Sequence, residues 1–144
     1  MSAPTIREFT LDDYAAAQTL WDATENMDAP SKEECASVLE HNPGLFLVAD
    51  DGGDVAGVVM GTWDGRRGWI FRLAVDRARR RSGIGRALIE ELERRFDERG
   101  VPQIRLLIWT GNGGGRVFWE RMGYRVSDDV AMGAKDRDGG DDSC

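Results

Sequence analysis

Apolar and polar residues alternate, or recur at helical spacing, along most of this chain, and the pattern predicts both strands and helices. A strand over residues 6–9 precedes a first helix, whose apolar face carries Leu11, Tyr14, Ala17 and Trp21. Ser31 followed three residues later by Glu34 is typical of a helix start, so we expect a second helix from there to about His41.

The middle of the chain predicts an antiparallel meander. Two apolar runs, 45–49 and 55–63, are separated by an Asp- and Gly-rich hairpin sequence over 50–54. A second turn over 64–68 leads to a third strand over 69–75. A long amphipathic helix follows, with apolar residues at every fourth position: Ile84, Leu88, Leu92 and Phe96.

The last third of the chain predicts two more strands. Residues 103–109 form an apolar run, which we expect to be a strand covered on both faces. It should run parallel to 69–75, because a helix connects the two. A short helix ending at Gly123 and a strand over 124–132 complete the order β-α-α-β-β-β-α-β-α-β. This order predicts an α+β fold with a mixed, mostly antiparallel sheet flanked by helices.

Charge is unevenly distributed along the 144 residues, which carry a net charge of −7. Residues 69–125 hold 13 Lys or Arg against 7 Asp or Glu, so a basic segment lies inside an acidic chain. We expect this segment to attract an anionic ligand. A single domain over 4–135 is expected, followed by a polar, disordered tail over 136–144.

Composition excludes several classes of protein. No apolar run approaches the roughly 20 residues that span a bilayer, and the N-terminus lacks the apolar core of a secretory signal, so we expect a cytoplasmic protein. One histidine and two cysteines, Cys35 and Cys144, match no metal-binding or disulfide spacing. We therefore expect no metal cofactor, and we expect Cys35 to be a packing residue of the second helix.

Residues 73–88 join the end of an apolar strand to the start of an amphipathic helix through a turn with two glycines. Glycines allow backbone N–H groups to approach a ligand, and a helix N-terminus adds unpaired donors and partial positive charge. Five arginines add full charges to the segment: Arg77, Arg79, Arg80, Arg81 and Arg86. The turn therefore predicts a binding site for phosphate groups.

Two common phosphate-binding motifs do not fit this turn. A P-loop requires a Lys-Ser/Thr pair, which the turn does not supply. A dinucleotide fingerprint requires a third glycine where Leu88 stands, and an acidic residue about 20 positions further on, where Arg105 stands.

A third pattern fits the turn. Arg80-x-x-Gly83-x-Gly85 resembles the Arg/Gln-x-x-Gly-x-Gly/Ala motif of the GNAT superfamily of acyl-CoA-dependent N-acetyltransferases. A block downstream is similar to the family pattern Asn-x-x-Ala-x-x-Phe-Tyr-x-x-x-Gly-Phe, and reads Asn112-x-x-Gly115-x-x-Phe118-Trp119-x-x-x-Gly123-Tyr124. Residues 45–50 and 60–68 look similar to the small bacterial YpeA-like members of that family. The resemblance implies the GNAT fold, with a cleft between two diverging parallel strands.

The resemblance implies transfer of an acetyl group from acetyl-CoA, the co-substrate, to a primary amine by direct attack through a tetrahedral intermediate. Backbone amides of the turn would hold the pyrophosphate of the donor, and Arg80 with its neighbours its 3′-phosphate. The Leu73 N–H would act as an oxyanion donor to the thioester, and Asn112 would bond the pantetheine arm. The residues implied in donor binding are Leu73, Ala74, Val75, Arg80, Arg81, Ser82, Gly83, Ile84, Gly85, Arg86, Asn112 and Trp119.

The usual proton-transfer residues of the family are replaced in this chain. Trp119 stands where the family often has tyrosine, and an indole N–H near the thioester cannot serve as a general acid. Trp69 and Phe71 occupy the positions of the family's glutamate base. We therefore expect either proton removal through water by Glu25 or Asp64, or a rate that depends mainly on proximity.

Two non-enzymatic functions are alternatives at this point. A chain without a placed acid or base could bind acyl-CoA as a sensor. The arginines of the turn would also suit a nucleic-acid-binding module, but the net charge and the lack of an aromatic platform oppose it, so we expect neither a nucleic acid nor a membrane partner. The acceptor, a small amine or a protein N-terminus or lysine, and a monomeric or homodimeric state are left open.

Overall fold

The structure is a computed structural model that describes residues 3–80 and 82–137. Arg81 and most of the expected polar tail, 138–144 with Cys144, lie outside the described residues. Among the described residues, no helix is long and apolar enough to cross a membrane, and no cluster of His, Cys, Asp and Glu could hold a metal ion. The chain divides after Trp109 into two compact units, Met1–Trp109 and Thr110–Cys144.

The first unit is built on a five-stranded sheet. Its strands, which are neighbours in chain order, are β1 (Thr5–Glu8), β2 (Phe46–Asp51), β3 (Asp54–Trp63), β4 (Gly68–Val75) and β5 (Ile104–Leu106). Neighbours from β1 to β4 are antiparallel, and β5 runs parallel to β4. The predicted meander, the parallel crossover and the α+β fold class are confirmed.

Helices precede and follow the meander. The α-helices of the described residues are α1 (Tyr14–Asp22), α2 (Lys32–His41), α3 (Ile84–Glu98) and, in the second unit, α4 (Gly113–Arg121). Single-turn 3-10 helices over Leu11–Asp13 and Arg77–Arg79 lead toward α1 and α3. The predicted cap of α2 is present, since the Ser31 hydroxyl accepts a hydrogen bond from the Glu34 N–H at 3.1 Å.

The strand predicted over 103–109 is shorter than expected. It is limited to Ile104–Leu106, and its last ladder pair is with Ile70 of β4. Beyond this pair, Leu107 and Trp109 are 55% and 64% exposed, so the expected cover on both faces is wrong. The cause lies in β4, whose ladder with β3 becomes irregular just after Phe71, because a bulge bends a strand and interrupts its pairing.

The strand predicted over 124–132 is not formed, and in the part of the chain that the structure describes no strand follows α4. Local polar contacts take its place. The Asp129 N–H donates to the Ser127 hydroxyl at 3.3 Å, and the Asp128 carboxylate lies 3.0 Å from the Arg116 guanidinium. Side chains that bond nearby backbone in this way compete with a strand ladder, and Asp is disfavoured in strands.

A hydrophobic core lies between the sheet and helices α1 and α2. Its buried members are Phe9, Ala17, Trp21, Cys35, Phe46, Val48, Val58, Met60 and Ala74. The rings of Phe9 and Phe46 stack with their centroids 4.0 Å apart. Cys35 is fully buried, as predicted, and burial raises the pKa of its thiol to about 11. The thiol is therefore protonated and unreactive at neutral pH.

On the opposite face of the sheet, α3 lies close to the strands because three glycines there have no side chains. Its apolar residues fill the space above this glycine row: Ile84 and Leu88 above Gly57, Leu92 above Gly61, and Phe96 above Gly68. A Cβ atom at Gly61 would lie 2.7 Å from the Leu92 side chain and 2.8 Å from the Leu45 carbonyl oxygen. The glycine row therefore sets the height of α3 above the sheet, and with it the position of the N-terminus of α3.

A partly buried ion pair joins β1 to the start of the first helical segment. The Arg7 guanidinium donates two hydrogen bonds to the Asp13 carboxylate, each 2.9 Å long, and the Thr10 N–H donates a third at 2.8 Å. Asp13 is only 8% exposed. The hydrogen bond from Arg7 is the main cause that lowers the pKa of Asp13.

Replacing Asp13 by asparagine is expected to lower the free energy of unfolding at pH 7 by about 1–2 kcal/mol, because the bidentate charged pair is lost. The folded-state pKa of Asp13 lies below its unfolded value of about 3.9, so this stabilisation is present above pH 4 and lost as the pH falls through the lower pKa. Urea unfolding of the native protein and of Asp13→Asn, at pH 7 and at pH 3, measures the gap between their free energies of unfolding. The gap should narrow at pH 3, and an equal gap at both pH values would contradict the role of the pair.

Candidate functional site

Strand β4 contains a bulge. Phe71 pairs with Met60 of β3, and Ala74 pairs with Val58. Two residues of β4, Arg72 and Leu73, therefore lie opposite the single residue Val59. Arg72 has a φ of +55°, a left-handed conformation that costs a non-glycine residue roughly 1 kcal/mol or more. The extra residue of a bulge breaks the regular ladder, so the pairing of residues 72–73 with β3 is irregular.

Two contacts hold Arg72, one at its backbone carbonyl and one at its side chain. The indole Nε1 of Trp21, on α1, donates to the Arg72 carbonyl oxygen at 3.0 Å. The Arg72 guanidinium in turn donates to the carbonyl oxygen of Asp28, in the connection between α1 and α2. The apolar pattern predicts only a helix face for Trp21, because a hydrogen bond between residues so far apart leaves no signal in the sequence.

Beyond the bulge, one edge of β4 has no partner among the described strands. Pairing with β5 ends at Ile70, whereas β4 continues to Val75. Backbone N–H and C=O groups on such an edge are available to an extended ligand. The residues implied in holding the pantetheine arm, Leu73, Ala74 and Val75, all lie on this part of β4.

The turn that follows β4 is ordered by its own side chains. Asp76 accepts a hydrogen bond from the Ala78 N–H at 3.1 Å and caps the 3-10 helix. The Ser82 hydroxyl donates to the Arg79 carbonyl oxygen. These contacts fix the path of the chain on either side of Arg81.

Backbone donors at the N-terminus of α3 have no partner among the described residues. Gly83 precedes the helix with a φ of +83°, which glycine adopts without strain. The first intrahelical hydrogen bond runs from the Ala87 N–H to the Gly83 carbonyl oxygen at 2.9 Å. The amides of Ile84, Gly85 and Arg86 come before this bond, and Gly83 has no side chain to cap them. Such a helix end binds anions.

Arg79 is not available to an external anion. Its guanidinium contacts three carboxylates, those of Asp76 at 2.7 Å, Asp51 at 3.0 Å and Asp54 at 3.4 Å. Asp51 and Asp54 flank the tip of the β2–β3 hairpin. Arg79 therefore fixes the turn to that hairpin, a role that the run of arginines in the sequence does not reveal.

The remaining arginines of the turn differ in their availability. The Arg77 guanidinium donates to the Ala23 carbonyl oxygen at 3.2 Å, and Arg86 lies 3.4 Å from Glu90. Arg80 is exposed, and its guanidinium makes no hydrogen bond or ion pair with a described residue. Among the described arginines of the turn, Arg80 is thus the cation most available to a bound phosphate.

A cleft of about 260 Å³ lies between the C-terminal part of α1 and the end of β4. The cleft is lined by Thr19, Leu20, Ala23, Thr24, Val75, Asp76, Arg77 and Arg80. The cleft is therefore bordered both by Val75, the last residue of β4, and by Arg80.

The two carboxylates predicted as proton acceptors have different surroundings. Asp64 accepts hydrogen bonds from the N–H groups of Arg67 and Arg66, each at 2.8 Å, and these bonds lower its pKa. Glu25 is exposed and follows Thr24, which lines the cleft. A lowered pKa makes a carboxylate a weaker base, so Asp64 is better explained as a residue that stabilises the turn. Glu25 directly follows a residue that lines the cleft.

Asn112 and Trp119 belong to the second unit. The Asn112 side chain caps α4 by accepting a hydrogen bond from the Gly115 N–H at 2.8 Å. The Trp119 ring makes edge contacts with Phe118 and Tyr124, at centroid distances of 5.0 and 5.3 Å. Within this unit, both residues have structural partners.

Comparison with known proteins extends over most of the chain. The family model described as the acetyltransferase (GNAT) family matches residues 7–124. An acetyltransferase of Pectobacterium atrosepticum is 36% identical over 132 residues, which cover 90% of this chain and 94% of the relative. An acetyltransferase of Sodalis glossinidius is 36% identical over 129 residues, 88% of this chain and 91% of that protein.

Solved structures share the fold. Ard1 from Thermoplasma volcanium superposes with a TM-score of 0.81 at 24% identity, over 88% of this chain and 85% of its own. The ribosomal-protein-S18-alanine N-acetyltransferase from Escherichia coli gives a TM-score of 0.70 at 24% identity, over 83% and 76% of the two chains. Taken with the family match and the identity to acetyltransferases, this shows that the chain belongs to the GNAT family and is an N-acetyltransferase, for which the family implies acetyl-CoA as co-substrate.

Proposed function

We propose that this protein transfers the acetyl group of acetyl-CoA to a primary amine, with the donor held by the turn between β4 and α3 and by the free edge of β4. The observation that carries the proposal is the N-terminus of α3, whose first amides have no partner among the described residues, after a short turn from a strand whose last residues do not pair with β5. The donor has a phosphate-rich end and a chain of amides, and these two features match those two surfaces.

The described residues fit each part of the donor. The amides of Ile84, Gly85 and Arg86 have no partner among the described residues and can receive the pyrophosphate, and no described atom lies within 4 Å of a Cβ atom built on Gly83. Arg80 supplies a free guanidinium for a further phosphate. The donor, when bound, brings a thioester that a neutral amine can attack.

The bulge in β4 supports a role for the Leu73 amide. A backbone N–H that is fixed before the reaction stabilises charge as it develops on a carbonyl oxygen. Leu73 lies in the part of β4 where the ladder with β3 is interrupted. We assign its N–H as the oxyanion donor, with Leu73, Ala74 and Val75 pairing with the amides of the donor.

Few side chains near the proposed site can take part in proton transfer from the acceptor amine. Trp119 has only an indole N–H, which cannot release a proton at neutral pH, and Trp69 and Phe71 carry no titratable group. We assign Glu25, acting through water, as the acceptor of the amine proton in preference to Asp64, whose pKa is lowered by its turn. Proximity of the two substrates accounts for the rest of the rate.

The acceptor is proposed to be cationic at neutral pH in its free state, because the chain outside 69–125 is acidic. A protein N-terminus or lysine and a small amine both meet this description. The Escherichia coli structural neighbour is named for the alanine of a ribosomal protein, which favours including peptides with a free N-terminus in any screen.

A thiol-release assay with acetyl-CoA and a panel of amines tests the proposal. The panel contains peptides with free N-termini, peptides with one lysine and a blocked N-terminus, and small polyamines. Release of CoA that depends on one class of amine is the expected result. Binding of acetyl-CoA in calorimetry without release for any amine would favour the acyl-CoA sensor, and absence of binding would refute the donor site.

Replacing Arg80 by alanine is expected to weaken binding of CoA roughly tenfold, because a charge-assisted bond to phosphate is lost. Binding of dephospho-CoA, which lacks the 3′-phosphate, should weaken less, so that the preference for CoA declines. Calorimetry with both ligands measures the two affinities. Arg66→Ala removes an equal charge from an exposed position outside the turn and serves as the control. Equal losses in both Arg80→Ala and Arg66→Ala would contradict the assignment of Arg80.

A further inference from the structure

Trp21 makes a polar contact from within the hydrophobic core. Its side chain is fully buried, and it packs among Phe46, Met60 and Ala74 in the core between the sheet and α1. A buried indole N–H requires an acceptor, and the Arg72 carbonyl oxygen provides it at 3.0 Å. That oxygen belongs to the left-handed residue of the β4 bulge.

We propose that Trp21 is a positioning residue for the reaction, one that orients the Leu73 amide through the Arg72 carbonyl group. The inference rests on the proposed function of Leu73 as the oxyanion donor. The Arg72 C=O and the Leu73 N–H belong to the same peptide group, which is planar, and in a trans peptide the two bonds point in opposite directions. The hydrogen bond from Trp21 therefore fixes the direction of the Leu73 N–H.

The bulge requires such support because its conformation is intrinsically unfavourable. A φ of +55° at a residue with a side chain persists only where surrounding contacts hold it. The guanidinium of Arg72 is anchored to the Asp28 carbonyl oxygen, which restrains the side chain. Trp21 restrains the peptide group itself. A carbonyl that accepts a hydrogen bond also makes the N–H of its peptide group a better donor, because hydrogen bonds polarise one another.

The test uses two ligands that differ only in the acetyl group. CoA lacks the thioester carbonyl that the Leu73 N–H would meet, whereas acetyl-CoA carries it. Replacing Trp21 by phenylalanine should weaken acetyl-CoA binding roughly fivefold and change CoA binding less than twofold, as expected for one misdirected hydrogen bond. Calorimetry gives both dissociation constants without requiring an acceptor amine.

A matched control separates orientation from stability. Val48→Ala opens a cavity in the same core, on β2, which does not adjoin β4, and should lower the melting temperature without changing the ratio of the two affinities. If Trp21→Phe does not fold, an isosteric analogue in which sulfur replaces the indole N–H, introduced only at position 21, removes the donor and keeps the ring volume. NMR of the ligand-free protein adds a second readout, since the Leu73 amide resonance should move in either variant.

Each outcome is decisive. If the native protein binds both ligands and the Trp21 variant loses affinity equally for both, or for neither, the role of Trp21 is refuted. The donor site itself is not contradicted by that result. An unchanged Leu73 resonance overturns it as well. A native protein that binds neither ligand refutes the proposed function itself, and the assignment of Trp21 with it.

Discussion

Glutamate in place of Gly85 is expected to abolish measurable binding of acetyl-CoA, a loss of at least about 100-fold, while the fold is retained. Gly85 is the second residue of α3, among the amides that we assign to the pyrophosphate. A carboxylate there would occupy the space of the phosphates and repel their charge, and one close like-charge contact costs several kcal/mol when water is excluded. Stability should not fall, because glutamate favours a helix more than glycine does and a negative charge near a helix N-terminus is stabilising.

Calorimetry with acetyl-CoA measures the affinity, and circular dichroism with thermal unfolding checks the fold. Gly133→Glu is the matched control, because it introduces the same side chain at an exposed glycine with nothing within 4 Å of a built Cβ atom. The control should bind acetyl-CoA as the native protein does. Unchanged affinity in Gly85→Glu would contradict the location of the donor site, whatever the result of the amine screen.

Alanine in place of Gly61 is expected to lower the free energy of unfolding by about 2–3 kcal/mol, the largest effect on stability that we predict for a single methyl group. The new Cβ would lie 2.8 Å from the Leu45 carbonyl oxygen, which is backbone and cannot rotate away. At Gly57 the close contacts of the new Cβ would be side-chain ends, Ile84 Cγ2 and Leu88 Cδ1, each at 2.9 Å, while the nearest backbone atom, the Ala74 carbonyl oxygen, would lie at an ordinary contact distance of 3.4 Å. Flexible ends can adjust, so Gly57→Ala should cost about 1 kcal/mol.

Urea unfolding at pH 7 of the two variants and of Gly114→Ala tests the difference. Gly114 has only the Asn112 side chain near a built Cβ atom, at 4.0 Å, and lies in α4, where alanine is the better helix former. This control should be as stable as the native protein or slightly more stable. Equal losses at Gly57 and Gly61 would show that α3 can move away from the sheet, contrary to the role of the glycine row.

The parts of the fold that the sequence predicts well are governed by neighbouring residues. The hairpin over 50–54 and the four-residue repeat of α3 are local patterns, and both are present. The strand predicted over 124–132 fails for a local reason too, because Asp128 and Asp129 bond to nearby groups and disfavour a ladder.

Features that depend on tertiary register are not visible in the sequence. The bulge arises from the offset between β3 and β4, and nothing in the run around Arg72 distinguishes it from a regular strand. The same holds for the end of β5 pairing, which follows from that bulge. The apolar pattern over 103–109 predicts a longer strand, because the pattern contains no information on where the partner strand β4 bends away.

The candidate donor site was predictable where chemistry depends on residue type and spacing. Gly83 and Gly85 after an apolar strand indicate an anion site, and in the described part of the chain the amides at that helix start have no partner. The sequence overestimates the charge available there, because the partners of Arg79 lie on another hairpin. The role that we infer for Trp21 depends on a hydrogen bond to a distant backbone group and is equally invisible.

Because Arg79 is already neutralised by carboxylates of the protein, this side chain condenses few counterions from solution. Ligands whose affinity comes from displacing counterions lose it steeply as salt rises. A donor held mainly by directional bonds to fixed backbone amides, with Arg80 as an added cation, depends on salt far less. For the donor site that we propose, we therefore expect affinity to change little over a wide range of ionic strength, which a run of unpaired arginines would not allow.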